Sequence, residues 1–329
     1  MTVLVAPDSF KGTFRSPQVA AAIGRGLERA GFPADLAPAA DGGDGTLEVL
    51  LLALGGETAA CEVHDPLGRA TKAGFGLLAD GSGAVVEMAS ASGLALVAED
   101  ERDPEAASTY GTGELIMGAV DAGADVVFVS VGGSATTDGG AGALEAIEDA
   151  GGLRGTKLVV LSDVRTPFED AAVVYGPQKG ANPAAVGRLT NRLHKLAGSF
   201  ARDPRTRPMT GAAGGLAGGL WAQLQAELVP GAPFVLDALG FDTRLREARA
   251  VVTGEGRIDE QTLQGKLVGE VATRARQRGV PCHAIVGRSE LDRFGRRLLD
   301  VDTVTEAATL DEIEAAASVL GDRLPPLAR

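Results

Sequence analysis

Along this 329-residue chain, short apolar runs rich in β-branched residues repeatedly break into glycines, hydroxyls and carboxylates, then pass into segments of helical spacing. Thr2 to Ala6 is the first run. It ends in Pro7-Asp8-Ser9-Phe10-Lys11-Gly12-Thr13, after which Ser16 as N-cap and Pro17 at N1 open a helix to about Arg29. Ala34 to Ala37 leads through Asp41-Gly42-Gly43-Asp44-Gly45-Thr46 into an apolar helix from Leu47 to Leu54. Val126 to Ser130 leads through the glycine-rich stretch Val131 to Gly142 into a helix beginning at Ala143. Strand, loop and helix repeated in this way predict βα units and a parallel sheet. Further strands are expected at Lys157 to Leu161, Ala172 to Tyr175, Ala250 to Thr253, Val280 to Val286 and Val301 to Val304, with a helix over Pro183 to Ala201 and a frayed tail from Leu324.

One region breaks the rhythm. Ala59 to Val63, Ala70 to Leu77 and Ala84 to Met88 are short alternating runs separated by Asp65-Pro66-Leu67-Gly68 and Asp80-Gly81-Ser82-Gly83. That pattern predicts a small antiparallel meander, and it points to an inserted second domain.

The 46 glycines and 4% aromatic content imply cores of Ala, Val and Leu with many close turns, and 45% hydrophobic content is ample for two domains. A net charge of −13 disfavours nucleic acid and anionic membrane as partners. An anionic ligand then needs local Lys, Arg, backbone N–H groups or a divalent metal. Cys61 and Cys282 are too few and too far apart in sequence for a disulfide framework or zinc site and read as small buried hydrophobes. The chain starts directly on a strand-like run, and no window is apolar enough to span a bilayer, so a cytoplasmic protein is expected.

Glycine-rich loops between strand and helix leave backbone N–H groups open to an anion, and the stretch Gly132-Gly133-Ser134-Ala135-Thr136-Thr137 adds hydroxyl donors. Asp8, Lys11, Asp41, Asp44, Lys179 and Glu255 stand in comparable loops. Each has a plainer reading as a capping or turn carboxylate, or as a solvated lysine. The three histidines lie outside these loops, which argues against His-centred triads and leaves carboxylates, lysines and N–H groups, a set suited to phosphoryl transfer. The P-loop signature is absent, since Gly265-Lys266 is followed by Leu267, and Gly254-Glu255-Gly256-Arg257 lacks the third glycine of a dinucleotide fingerprint.

Taken in order, Ala6-Pro7-Asp8-Ser9-Phe10-Lys11, Ala40-Asp41-Gly42-Gly43-Asp44-Gly45-Thr46, Thr109-Tyr110-Gly111-Thr112-Gly113-Glu114, Gly132-Gly133-Ser134-Ala135-Thr136, Asp138-Gly139-Gly140-Ala141-Gly142, Gly176-Pro177-Gln178-Lys179-Gly180-Ala181 and Thr253-Gly254-Glu255-Gly256-Arg257-Ile258-Asp259 resemble the bacterial type I glycerate kinases. The resemblance covers the chain to about Gly287. It implies ATP- and Mg²⁺-dependent phosphorylation of D-glycerate, most often at the 2-hydroxyl, in a cleft between domains. The implied fold is α/β: a Rossmann-like, mostly parallel sheet domain interrupted by a second, smaller α/β domain containing the meander. Its expected boundaries are 1–57, 93–150 and 230–329 for the first domain, and 58–92 with 151–229 for the second.

On this reading Asp8, Lys11, Asp41, Lys179 and Glu255 are the catalytic candidates. Gly132, Gly133, Ser134, Ala135, Thr136, Thr137, Gly111 and Thr112 would hold ATP. Ser9, Asp41, Gly42, Gly43 and Arg257 would hold glycerate, and Asp138 and Asp163 the metal. Asp44 departs from the family's usual Glu, and Leu161-Ser162-Asp163-Val164-Arg165-Thr166-Pro167 departs from its usual Ala-Cys-Asp pattern. Alternatives are attack by the 3-hydroxyl, another small hydroxy acid as acceptor, and a non-catalytic metabolite binder. Oligomeric state is left open, a homodimer included.

Overall fold

The apolar runs become strands that are, in chain order, β1 Thr2–Pro7, β2 Ala34–Leu36, β3 Gly56–His64, β4 Ala70–Leu78, β5 Gly83–Glu87, β6 Val126–Ser130 and β7 Lys157–Ser162. They continue as β8 Glu227–Pro230, β9 Ala248–Gly254, β10 Arg257–Ile258, β11 Cys282–Val286, β12 Arg288–Ser289 and β13 Thr303–Glu306. The computed structural model describes residues 2–81, 83–260, 262–264, 266–321 and 324. The tail beyond Leu324 lies outside the described residues. Two units emerge, one formed by Met1–Asp41 with Ala232–Arg329 and the other by Gly42–Gly231.

The first unit holds a parallel five-stranded sheet ordered β13-β11-β9-β1-β2. Counted within the unit this is the doubly wound order 2-1-3-4-5, whose direction reverses between β1 and β9, and ligands of such sheets sit beyond the carboxyl ends at that reversal. Both faces are covered. Val3, Val5, Ala250, Val252 and Ile285 pack with Val19, Ile23 and Leu27 of the helix Ser16–Arg29 and with Ile313 and Ala317 of the helix Leu310–Gly321. The alternate residues Ala284 and Val286 turn to Ile258 and Val268. Burial on both faces explains why these strands read as near-continuous apolar runs.

The second unit holds a six-stranded sheet ordered β3-β4-β5-β6-β7-β8. Its first three strands form the expected meander, β3 antiparallel to β4 and β4 to β5, while β5 through β8 run parallel. The meander and the central strand β6 therefore share one sheet, with Val85 of β5 opposite Phe128 of β6. Residues 93–150, expected in the first domain, belong to this unit, and the interrupting unit is the longer of the two. Sequence periodicity shows that a strand exists, not which strand it pairs with.

Smaller corrections follow the same logic. Ala172 to Tyr175 is helical, within Ala171–Tyr175, because Ala171 and Ala172 bury against Phe168 and Leu189 in a small helical core. Arg15 rather than Ser16 is the N-cap of the first helix, with its N–H on the Gln18 carboxamide, while the Ser16 hydroxyl donates to the Pro7 carbonyl. Among the described residues no helix is long and apolar enough to cross a membrane.

Candidate active site

At the carboxyl edge of the first unit's sheet, the chain leaves β1 into Asp8 and leaves β9 into Glu255. The Asp8 N–H donates to the Gly254 carbonyl at 2.7 Å, which fixes the two exits side by side. The Asp8 carboxylate accepts the Ser9 N–H at 2.7 Å, Glu255 accepts the Thr262 hydroxyl at 2.8 Å, and Lys11 Nζ lies 3.1 Å from Asp41 Oδ2. Asp8, Asp41 and Glu255 are all buried, while Lys11 is half exposed.

Three carboxylates out of water at one edge oppose each other's ionisation. Burial, followed by the charge on Asp41, pushes the Asp8 carboxyl well above its usual range, with Glu255 adding and Lys11 opposing. Burial likewise lifts Glu255 to about 7, against the pull of Lys266 and the Thr262 hydrogen bond. Beside them opens a cavity of about 450 Å³ whose lining includes Ser9, Lys11, Glu255, Arg257, Lys266 and Arg288. The Ser9 hydroxyl is buried and has no hydrogen-bond partner among the described residues.

The glycine loop after β6 belongs to the second unit and is more tightly used than its composition implies. Of Gly132 to Thr137, only Gly132 and Gly133 escape burial. A β-carbon on Gly132 would lie 2.7 Å from the Gly43 Cα, so glycine is needed there for one backbone to pass another. The Ala135 N–H donates to the Ser92 carbonyl, and the Gly133 carbonyl accepts from Leu94. Thr136 and Thr137 hydroxyls are buried without partners among the described residues.

Several expected site residues are engaged within the fold. Lys179 was expected in an open turn facing an anion, but it is 2% exposed, and its Nζ donates to Ser134 Oγ at 2.8 Å and to the Thr136 carbonyl at 2.5 Å. Burial lowers its pKa to about 7, with Asp138 opposing. It braces the loop from within. Asp138 accepts from the Thr109 N–H and hydroxyl and from the Gly140 and Gly142 N–H groups, so its carboxylate satisfies donors at the start of the helix Ala141–Asp149. The Thr112 hydroxyl bonds Ser92 Oγ at 2.7 Å, and a β-carbon on Gly111 would strike the His64 carbonyl, so both positions are tightly packed within the second unit. Asp163 follows β7, half buried near Tyr175.

Structure thus gathers Asp8, Ser9, Lys11, Asp41, Glu255 and Arg257 in the first unit, and Gly43, Gly132 to Thr137, Asp138 and Lys179 in the second. Gly42, beside Asp41 in sequence, packs on Gly231 and Leu161 of the second unit. Sequence reading passed over Lys266 and Arg288 as site residues. For Lys266 the available signal is the sequence pair Gly265-Lys266, which lacks the hydroxyl that a P-loop places next; Arg288 carries none.

Among the described residues no group of three or more His, Cys, Asp or Glu side chains could hold a metal. Mg²⁺ needs less, since it commonly takes one or two carboxylates and completes its shell with phosphates and water. The mutually repelling Asp8 and Asp41 fit that role, because a cation there relieves the opposition that raises Asp8.

Comparison with known proteins agrees in fold and extent. The pattern of the Glycerate kinase family matches residues 3–150 and 150–319. The chain is 42% identical to a glycerate kinase of Halalkalibacterium halodurans, over 87% of this chain and 85% of that protein. It is 35% identical to a glycerate 2-kinase of Escherichia coli, over 95% and 93% respectively. The crystal structure of a candidate glycerate kinase 2 from Salmonella typhimurium LT2 superposes with a TM-score of 0.82 at 33% identity, covering 98% of both chains.

Proposed function

The chain belongs to the glycerate kinase family, and on that premise we propose that it transfers the γ-phosphoryl group of ATP to the 2-hydroxyl of D-glycerate. The observation that carries this reading is the burial of Asp8, Asp41 and Glu255 together at the carboxyl edge of β1 and β9, with Lys11 paired to Asp41. In the transfer the acceptor oxygen bonds to the γ-phosphorus while the bond from phosphorus to the bridging oxygen of ADP breaks, and the hydroxyl proton must be taken up. Glu255 suits that step, since a base is most effective when its pKa lies near working pH. Lys11 and Lys266 offset negative charge on the transferring group or on the acceptor carboxylate. Asp8 and Asp41 would hold Mg²⁺, which when bound neutralises phosphate charge.

The 2-hydroxyl is favoured by the Escherichia coli relative, whose name specifies that position. A panel assay of ADP release with D-glycerate, L-glycerate, lactate and tartrate tests the acceptor. D-Glycerate is expected to give the highest kcat/KM. A better acceptor among the others would replace glycerate, and ADP release independent of any acceptor would remove the kinase reading.

A further inference from the structure

We propose that the polyphosphate of the nucleotide binds in the cavity of the unit that carries β1 and β9, against Lys266, Arg288 and Lys11, and not on the glycine loop that follows β6. The inference deepens the phosphotransferase reading and rests on it for the identity of the anion; the placement rests on the two sites themselves.

Several donors in and just after the glycine loop are already engaged, although the Thr136 and Thr137 hydroxyls are buried without partners among the described residues. Its Ala135 N–H is bonded to Ser92, the N–H groups of Gly140 and Gly142 are bonded to Asp138, and that of Gly139 is bonded to Gly214. Its one exposed corner already faces a carboxylate, since a β-carbon on Gly133 would lie 2.7 Å from Asp44 Oδ1. A phosphate brought to that corner meets a like charge. The loop's lysine, Lys179, is consumed inside it.

The cavity offers the opposite. At about 450 Å³ it falls within the roughly 300–1,000 Å³ usual for small-molecule sites. In a chain of net charge −13, Lys11, Arg257, Lys266 and Arg288 all line it. Arg288 is 74% exposed and stands 3.7 Å from Glu290, too far for a tight pair, so its guanidinium can turn to a ligand. The unpartnered Ser9 hydroxyl supplies a further donor at the wall. Lys266 also stands at the N-cap position of the helix Leu267–Arg278, whose positive end adds to the same field. Glu255 itself lines the cavity, and Asp8, next to the lining residue Ser9 in sequence, donates its N–H to the Gly254 carbonyl beside it, so a proton acceptor and a carboxylate for metal stand close to the proposed phosphate position.

Calorimetric titration of the full-length chain with tripolyphosphate, without glycerate, tests the placement independently of turnover. The double variant Lys266→Gln/Arg288→Gln is expected to bind about tenfold or more weakly, the loss of charge-assisted bonds. The control Arg154→Gln/Arg188→Gln removes the same charge from exposed ion pairs of the other unit and is expected to bind as wild type does. Equal affinity in wild type and the Lys266/Arg288 variant overturns the proposal, as does an equal loss in the control or no binding by wild type. Displacement of tripolyphosphate by D-glycerate alone also overturns it, because the cavity would then belong to the acceptor. Failure of the glycerate reading would appear only in the acceptor panel, leaving these titrations unchanged.

Discussion

Glu255 shows how one side chain couples stability to chemistry. Its folded pKa of about 7 stands above the ordinary 4.5. Between those values the folded chain keeps a proton that the unfolded chain has lost, so stability falls as pH rises from about 4.5 to about 7 and is level above, a loss on the order of 3 kcal/mol. Glu255→Gln carries no such charge. Urea unfolding should therefore find the variant more stable than wild type at pH 8 and nearly equal to it at pH 4.5, while kcat drops by roughly 10²- to 10⁴-fold. An equal stability difference at both pH values would contradict the assigned burial, and an unchanged kcat would remove Glu255 as proton acceptor. At this scale the meeting of Asp8, Lys11, Asp41 and Glu255 at one sheet edge was legible because each stands in a loop that follows a strand, where open parallel sheets gather their ligands. The engagement of Asp138 and Lys179 inside the fold was not legible for a physical reason: a loop's polar side chain serves equally well facing a ligand or satisfying the loop's own backbone, and letters do not distinguish the two.

At the scale of elements, the dense glycines from Gly211 to Gly219 answer to packing. Gly214 has φ +64°, and a β-carbon there would lie 2.0 Å from the Thr136 carbonyl oxygen. Gly240 has a similar φ of +62° with nothing within 4 Å. Gly240→Ala should then cost only the left-handed backbone penalty of about 1–2 kcal/mol, whereas Gly214→Ala should add a clash and cost roughly 3 kcal/mol or more. Chemical denaturation of both variants measures the gap, and equal costs would show that the Thr136 contact is slack. Strand and helix positions in the βα units were readable from apolar period and loop composition, and the meander from its turn residues. Ala172 to Tyr175 was not, since four apolar residues carry no period and only the neighbouring Phe168 and Leu189 decide for helix. The short helices Gly231–Ala238 and Phe241–Glu247 escaped for a similar reason, being too brief to show a helical period.

For the molecule as a whole, the α/β class and the interruption of one unit by another followed from the switch between helical and alternating patterns. Strand partnership did not, and so 93–150 was assigned to the wrong sheet: β5 and β6 pair edge to edge although their sequences report only that each is buried. A net charge of −13 makes local positive charge the feature to look for, and Lys11, Arg257, Lys266 and Arg288 line one cavity. Family membership narrows the chemistry to glycerate, and the proposed acceptor is its 2-hydroxyl oxygen. Proton-coupled phosphorus NMR of the product formed from ATP and D-glycerate decides it. A phosphate ester split into a doublet by the single proton on C2 is the predicted result; a triplet from the two protons on C3, or no new ester at all, would contradict it.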